Sequence, residues 1–314
     1  MDRAIEWEDD LAWLKVQYSD GRLDSTGRAS YERGMLGPVF PIHADLLADA
    51  GSYCATLAVT QNWDFSGLGF PVAARPDAAL RNGTLTFVRS RGRTYGITCQ
   101  HVVDHYRSVL AATGKSGSHS MRTMLNGFYI VEDRFTQPSA QVGQNPPDIA
   151  IRELHPGLVE RLGKKSLDID YMLEPPETIR HAYAVGFPET LKYNKPDGPG
   201  GYRVSLPQVQ VLAELERRPD RRFTMFSELE NPPEPVDYSG MSGGPIFWST
   251  EDDWGILGIV YEGGPGSLVD SIYIYGELAT PPIIRGWLDE VPLIWPSPPE
   301  VTTSAAPADD GDHR

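Results

Sequence analysis

Short runs in which apolar and polar residues alternate occupy most of the chain beyond its amino-terminal part. Alternation with a period of two predicts half-buried strands. The runs 84–89 and 94–98 flank Arg91-Gly92-Arg93 and predict a hairpin, and runs at 128–131 and 149–154 continue this first group. The strands predicted for a second group are 182–185, 209–215, 223–228, 245–248, 255–261 and 271–275. The pattern is therefore that of a β-rich chain.

Helical patterns lie near the two ends of the chain. Residues 8–18 place apolar positions among charges and predict a short amphipathic helix, and a second helical stretch is expected at 42–47. Residues 281–291 have proline in the first turn and apolar residues on one face, which predicts a terminal helix. Residues 297–314 are rich in Pro, Ser, Thr, Ala and Asp and are expected to be disordered.

The charge of the chain bears on its partners. The net charge is −15 over 314 residues, which opposes binding to phosphate backbones. The basic segment 217–222 is interrupted by proline and aspartate, and it predicts the tip of a surface hairpin. We therefore expect no nucleic-acid partner.

The amino-terminal residues and the small number of cysteines indicate the cellular compartment. The chain has no apolar run of about 18 residues, and its first ten residues are acidic where a secretory signal would be basic and then apolar. We expect a cytoplasmic protein with no membrane contact. Only Cys54 and Cys99 are present, and we expect two buried free thiols, with a Cys54–Cys99 bridge as the alternative.

The most informative motif is Gly240-Met241-Ser242-Gly243-Gly244-Pro245. Three glycines and a proline exclude a regular helix or strand, and such a turn exposes a hydroxyl beside converging backbone N–H groups. That arrangement suits an acyl-transfer nucleophile with its oxyanion hole. The alternative interpretation is a tight hairpin turn that contains a serine.

A histidine and an aspartate upstream complete a possible catalytic set. Residues 94–103 form a strand-like run that reaches His101 and continues into two valines, and Asp148 precedes an alternating apolar segment. Histidine can take and return a proton near neutral pH, and a carboxylate on its far nitrogen fixes its tautomer. The order along the chain is His101, Asp148, Ser242.

These segments resemble the trypsin/chymotrypsin-like serine peptidases. The matching features are the strand leading to His101, the Asp-Ile-Ala segment at 148–150, the Gly-Xaa-Ser-Gly-Gly-Pro motif, and the strands 184–188 and 255–260, the former like that of bacterial members. The resemblance spans roughly residues 66–292.

The resemblance implies an all-β fold of two six-stranded antiparallel β-barrels, with a carboxy-terminal helix and a partly helical amino-terminal extension. The expected divisions are 1–55 for the extension, 56–175 for the first barrel, 176–296 for the second barrel with the helix, and 297–314 for the acidic tail.

The resemblance also implies a serine endopeptidase without a cofactor or metal. Ser242 would be the nucleophile, His101 the base and Asp148 its orienting acid, with the N–H groups of Gly240 and Ser242 as the oxyanion hole. The residues expected to bind a peptide or protein substrate are Val236, Val260, Tyr261, Glu262 and Gly263. The alternative from another class is an inactive barrel that serves as a peptide-binding or regulatory module, and a third is an esterase.

Three positions depart from the family pattern. Met241 replaces the aspartate that pairs with a newly cut amino terminus, which predicts activity without such a cut. Tyr261 stands where a small serine usually lies beside the aspartate. Val236 would form an apolar pocket base that disfavours Lys or Arg, whereas a shift of one residue would place Asp237 there and reverse this preference.

Two further features complete the expectations. His105 lies four residues after His101, a spacing seen in zinc sites, but no glutamate follows His101 directly and no third ligand is evident, so we expect no metal. A cytoplasmic peptidase without disulfides would act on few targets or under a regulatory partner, for which the extension at 1–55 is the candidate docking segment.

Overall fold

A computed structural model describes twelve segments of the chain, which are 43–62, 74–113, 119–124, 128–131, 134–140, 144–191, 193–196, 202–205, 208–218, 221–228, 238–265 and 271–296. The predicted helix at 8–18, Val236, Asp237 and the predicted disordered tail at 297–314 lie outside the described residues.

The amino-terminal half forms one sheet of seven strands. Its members are β1 Cys54–Asn62, β2 Ala74–Ser90, β3 Arg93–Thr98, β4 His119–Met124, β5 Phe128–Val131, β6 Ala150–Glu153 and β7 Leu167–Asp168. The order is β5-β4-β1-β2-β3-β6, every pair in this order is antiparallel, and the short β7 pairs in parallel with β2. Over the described residues the sheet is a half-barrel.

The turn between β2 and β3 has the conformation of a tight hairpin. Arg91 has a φ of 50° and Gly92 a φ of 72°, so both central residues are left-handed. Paired left-handed residues match the twist of the flanking strands. The predicted hairpin is confirmed.

The carboxy-terminal half is a closed barrel of six strands. Its order is β11-β12-β15-β14-β13-β8. The strands are β8 His181–Gly186, β11 Val209–Arg217, β12 Arg222–Glu228, β13 Pro245–Ser249, β14 Trp254–Pro265 and β15 Ser271–Leu278. A separate pair, β9 Tyr193–Pro196 and β10 Tyr202–Ser205, was not expected from the sequence. The barrel and the half-barrel sheet confirm the predicted all-β, two-barrel class.

The described residues form few helices. They are α1 Ala44–Asp49, α2 Gln100–Thr113, α3 Leu158–Arg161 and α4 Pro281–Leu288, with 3-10 turns at Ala50–Tyr53 and Glu189–Leu191. Helices α1 and α4 lie where the sequence predicts them. The run that leads to His101 differs from the prediction, because β3 ends at Thr98 and His101 lies in the first turn of α2.

One apolar core joins the two halves. It contains the interior of the half-barrel sheet, residues such as Phe247, Ile256 and Ile259 from the second barrel, and Ile284 and Trp287 of α4. A second core fills the interior of the closed barrel. Each large apolar side chain that is fully buried contributes roughly 1.5–3 kcal/mol, so the contact between the halves is firmly packed.

The state of the two thiols tests one expectation. Cys54 and Cys99 are both free and buried, which confirms the prediction of two unpaired thiols. Burial raises the pKa of Cys54 to about 12, so this thiol stays neutral and unreactive. In the described part of the chain, the helices are too short or too polar to cross a bilayer.

Candidate active site

The turn that carries Ser242 is built on two glycines with positive φ. Gly240 has a φ of 97° and Gly243 a φ of 94°. Residues that carry a side chain rarely adopt these backbone angles. A Cβ on Gly243 would meet the carbonyl oxygen of Thr84 and would lie 2.5 Å from Oγ1 of Thr98. The serine turn therefore packs directly against the backbone of β2 and β3.

Polar side chains of β2 fix this turn across the interface between the two halves. Thr84 Oγ1 donates to the carbonyl of Gly240 at 3.0 Å, and Thr86 Oγ1 donates to the carbonyl of Gly243 at 2.7 Å. The backbone N–H of Thr84 donates to the carbonyl of Ser242 at 2.8 Å. Each such bond contributes about 1 kcal/mol, and all three act on one turn.

The N–H groups of the turn divide into two sets. Those of Met241, Gly243 and Gly244 donate to the carbonyls of Tyr238, Val260 and Met241 at 3.0, 2.7 and 2.8 Å. Those of Gly240 and Ser242 find no acceptor among the described residues. These two are the predicted oxyanion donors, and they are the groups that the fold leaves available to a ligand.

His101 and Asp148 meet because their strands pair. Thr98, at the end of β3, lies opposite Ala150 of β6, so the chain beyond each strand enters the same region. His101 Nδ1 lies 2.6 Å from Oδ2 of Asp148, and the backbone N–H of His101 donates to Oδ1 at 3.0 Å. Both carboxylate oxygens are thus held, and the imidazole is oriented with its other nitrogen free of Asp148.

Ser242 lies near this pair, but its hydroxyl is engaged elsewhere. A Cβ on Gly83 would lie 2.9 Å from Cγ1 of Val102 and 3.1 Å from the carbonyl oxygen of Ser242, so the residue after His101 and the serine meet across Gly83. Ser242 Oγ donates to the carbonyl of Tyr261 at 3.1 Å. Among the described residues, no hydrogen bond joins His101 to Ser242. Such bonds are often long or absent without substrate.

Cys99 lies between the pair and the barrel. Its thiol donates to the carbonyl of Val260 at 3.1 Å, and burial, assisted by the charge of Asp148, raises its pKa well above the ordinary range. Ligand atoms of Cys99, His101 and Asp148 lie within 4.8 Å of one another. A neutral, hydrogen-bonded thiol is a poor metal ligand, so we assign Cys99 to packing.

The predicted substrate edge lies on β14. The N–H and carbonyl of Val260 are both bonded to the serine turn, to Gly244 and Gly243. The next residue, Tyr261, is the extra residue of a bulge against β15. Beyond it, Glu262 is exposed and Gly263 partly exposed, and in the described part of the chain no strand pairs with this side of β14. The edge open to a peptide therefore begins after Val260.

Met241, which departs from the family pattern, is fully buried. It packs against Gly186, where a Cβ would lie 2.9 Å from its side chain. The side chain fills space under the turn with apolar contacts and offers no charge to an amino terminus.

A cavity of about 470 Å³ lies elsewhere. Its lining includes the aromatic residues Tyr53, Tyr171 and Trp254 and the acidic residues Asp168, Asp252 and Asp253. None of the predicted site residues lines it, and the chemistry described above lies instead at the His101–Asp148 pair and the serine turn.

Sequence reasoning missed the residues that support the site. Asn82, Thr84 and Thr86 alternate along β2, and all three side chains are buried. Asn82 Nδ2 donates to the carbonyl of Phe187 at 2.8 Å, so it too bonds to the second half. The available signal was the alternation of Asn82, Thr84 and Thr86 with glycine and apolar residues in the segment 82–88.

No model of a known protein family matches the chain, and no curated protein matches its sequence. Among solved structures, the chain is similar to the crystal structure of AL20, a thermostable serine protease from an extremophilic microorganism. The two share 11% sequence identity at a TM-score of 0.42, over 75% of this chain and 95% of that chain. A likeness at this level carries no weight for activity, so the function has to be inferred from the site.

Proposed function

We propose that the protein is a serine endopeptidase with His101, Asp148 and Ser242 as its catalytic residues. The observation that carries this proposal is the two-point contact of Asp148 with the ring and backbone of His101, next to a serine turn with two N–H groups available. A base held by an orienting carboxylate, beside a hydroxyl and two N–H donors, is the set of groups that acyl transfer requires.

The reaction follows from these positions. Ser242 Oγ bonds to the carbonyl carbon of the peptide while His101 accepts the hydroxyl proton, and the carbonyl electrons move onto oxygen. The N–H groups of Gly240 and Ser242 stabilise that oxyanion. The C–N bond then breaks, and His101 gives its proton to the leaving amine. Water, deprotonated by His101, attacks the acyl-enzyme and releases the acid and Ser242.

The β14 edge supports a peptide substrate rather than a small ester. Residues 261–263 continue β14 past its last contact with the serine turn, and an extended chain added there gains backbone hydrogen bonds. We further propose that the targets are few and intracellular or that a partner controls access, because an unrestrained peptidase would degrade proteins of its own compartment.

One observation favours the second candidate, an inactive barrel that binds peptides. The Ser242 hydroxyl donates to the Tyr261 carbonyl instead of to His101. A permanent bond of this kind would leave the serine without its base. In the endopeptidase, a rotation about χ1 of Ser242 exchanges this acceptor for Nε2 of His101 when substrate arrives.

Labelling with a fluorescent fluorophosphonate tests the proposal on the full chain. We expect stoichiometric labelling of the wild type and none of Ser242→Ala, because the probe reacts only with a hydroxyl activated by a base. Ser239→Ala is the matched control, since Ser239 lies in the same turn, and it should label like the wild type.

The labelling result separates the candidates. An unlabelled wild type that still binds peptides would favour the inactive module. Labelling together with hydrolysis of small esters, but of no peptide in a library, would indicate an esterase. Labelling that persists in Ser242→Ala would refute Ser242 as the nucleophile.

A further inference from the structure

The cavity of about 470 Å³ has walls from three parts of the fold. Tyr53, which precedes β1, and Asp168, in β7, belong to the amino-terminal half. Residues 171–173 belong to the chain that connects the two halves, and residues 252–254 lead into β14 of the second barrel. A ligand in this cavity would therefore contact both halves and the connection between them.

Hydrogen bonds within the protein hold two of these walls in place. The N–H of Ile256, in β14, donates to Sδ of Met172 at 3.1 Å, which ties the connecting chain to the barrel. The N–H of Asp253 donates to Oγ1 of Thr250 at 3.0 Å, which fixes the turn before β14. The cavity is thus formed by the fold itself, as small-ligand and side-chain pockets usually are.

Aromatic rings are prominent in the lining. Tyr53 and Trp254 both line the cavity, and their ring centres lie 5.6 Å apart with the planes inclined by 48°. The buried ring of Phe247 packs against both, at 6.1 Å from Tyr53 and 5.8 Å from Trp254. Rings whose positions are set in this way offer a π surface that attracts a cation.

Exposed apolar side chains gather at the same place. Among the described residues, three large hydrophobic side chains are strongly exposed, and these are Tyr171 at 87%, Leu173 at 53% and Leu293 at 60%. Tyr171 and Leu173 both line the cavity. Exposed apolar side chains grouped beside a cavity are typical of a surface that binds another molecule.

The charge of the lining is negative. Asp168, Asp252 and Asp253 contribute carboxylates, and the described lining residues include no Lys or Arg. In the described part of the chain, no Lys or Arg forms an ion pair with any of these three carboxylates. The charge therefore remains available to a ligand, and it selects a cation.

Two basic groups at or beside the lining have acidic partners of their own. Lys165 precedes the lining residue Ser166, and its Nζ lies 2.6 Å from Oδ2 of Asp49. Nδ1 of His43, which lines the cavity, accepts the N–H of Asp45 at 3.3 Å and lies 4.0 Å from its Oδ2. Both groups are thus compensated by aspartates outside the lining.

We propose that this cavity binds a Lys or Arg side chain of a basic partner peptide, whose flanking apolar residues pack on Tyr171 and Leu173. The carboxylates attract the cationic head, and the rings of Tyr53 and Trp254 pack against the head and its apolar stem. A small amine would leave the exposed rim uncovered, whereas a peptide covers it. The inference goes beyond the proposed function, because it uses none of the catalytic residues.

Fluorescence anisotropy on full-chain Ser242→Ala, which lacks the proposed nucleophile, measures the binding. The probe is the capped pentapeptide Ala-Leu-Lys-Leu-Ala with an uncharged dye, and the matched probe has norleucine in place of lysine, which keeps the stem and removes the charge. We expect the norleucine peptide to bind at least about tenfold more weakly. Raising the salt concentration from about 0.05 to about 0.5 M should weaken binding of the lysine peptide severalfold, because exposed charges are screened.

Variants at exposed positions locate the binding. Asp252→Asn/Asp253→Asn should weaken binding of the lysine peptide about tenfold, because two charges near the ligand are lost together. Glu251→Gln is the matched control, since Glu251 is an exposed acid of the same turn that does not line the cavity, and its Kd should stay within about twofold of the parent.

The exposed rim has its own pair of variants. Tyr171→Ala should weaken binding of the lysine peptide by about two- to fivefold, the effect of one ring on an exposed cation. Leu293→Ala removes an equally exposed apolar side chain that does not line the cavity, and it should leave the Kd unchanged.

The outcomes are distinct. No binding of the lysine peptide, equal binding of the two peptides, or an unchanged Kd in Asp252→Asn/Asp253→Asn overturns the proposal. If n-butylamine binds as tightly as the lysine peptide, a small amine and not a peptide is the occupant, and the proposal fails on that point. A wild type that fluorophosphonate does not label would refute the proposed function and leave this inference standing, because the binding is measured without the nucleophile.

Discussion

Replacing Asp148 with asparagine should lower kcat for a cleaved peptide by about 10⁴-fold, the loss expected when a triad aspartate is changed in this way. Asp148 accepts both the ring Nδ1–H and the backbone N–H of His101. Asparagine has one acceptor for these two donors. If the asparagine oxygen accepts the backbone N–H of His101, the asparagine NH₂ group faces Nδ1 of the ring. The ring proton then moves to Nε2, which is the nitrogen that should accept the proton of Ser242.

The measurement is steady-state hydrolysis of one peptide by the wild type and Asp148→Asn. Asp289→Asn is the matched control, because Asp289 forms an exposed pair with Arg91 at 2.8 Å and exposed pairs contribute at most about 1 kcal/mol. Its kcat should stay within twofold of the wild type, by the same reasoning. An Asp148→Asn enzyme that keeps more than a tenth of the activity would contradict the assigned role of Asp148.

Replacing Gly243 with alanine should destabilise the fold and abolish activity together. An alanine at a φ of 94° is strained by roughly 1–2 kcal/mol. Its Cβ would also meet the carbonyl of Thr84 and lie 2.9 Å from Cα of Thr98, and backbone in two strands cannot move aside cheaply. We expect a loss of about 3 kcal/mol or more in unfolding free energy.

Calorimetry checks this expectation. For a chain of this size the melting temperature should fall by about 6–12 °C. Gly286→Ala is the control, since its Cβ would meet nothing within 4 Å in α4 and alanine favours a helix by about 0.5–1 kcal/mol. A Gly243→Ala protein with wild-type melting and activity would show that the serine turn does not need its positive φ.

Local patterns were sufficient where a feature depends on neighbouring residues. Alternation and the Arg-Gly pair predicted the β2–β3 hairpin, proline in the first turn predicted α4, and the glycines around Ser242 predicted an irregular turn, which the structure builds on positive φ at Gly240 and Gly243. Only the first residues of helix α2 were expected to continue the strand-like run, because Val102 and Val103 favour strands locally, whereas burial of both against the shared core selects the helix.

Distant contacts could not be predicted in the same way. Thr84 and Thr86 alternate visibly, but their acceptors lie 156 and 157 residues away in the serine turn. Arg222 and Glu277 are 55 residues apart and meet only because β12 and β15 are neighbours in the barrel. Such pairs follow from the strand order, which no local pattern specifies.

The most direct test of the proposed catalytic centre is a crystal structure of the full chain after reaction with a fluorophosphonate. The phosphorus should be bonded to Oγ of Ser242, with its oxygen about 2.7–3.1 Å from the N–H groups of Gly240 and Ser242, and His101 should keep its contact with Asp148 while Nε2 faces the adduct. An adduct on any other residue, or an imidazole that remains out of reach of the bonded serine, would contradict the proposal that these three side chains act as one catalytic unit.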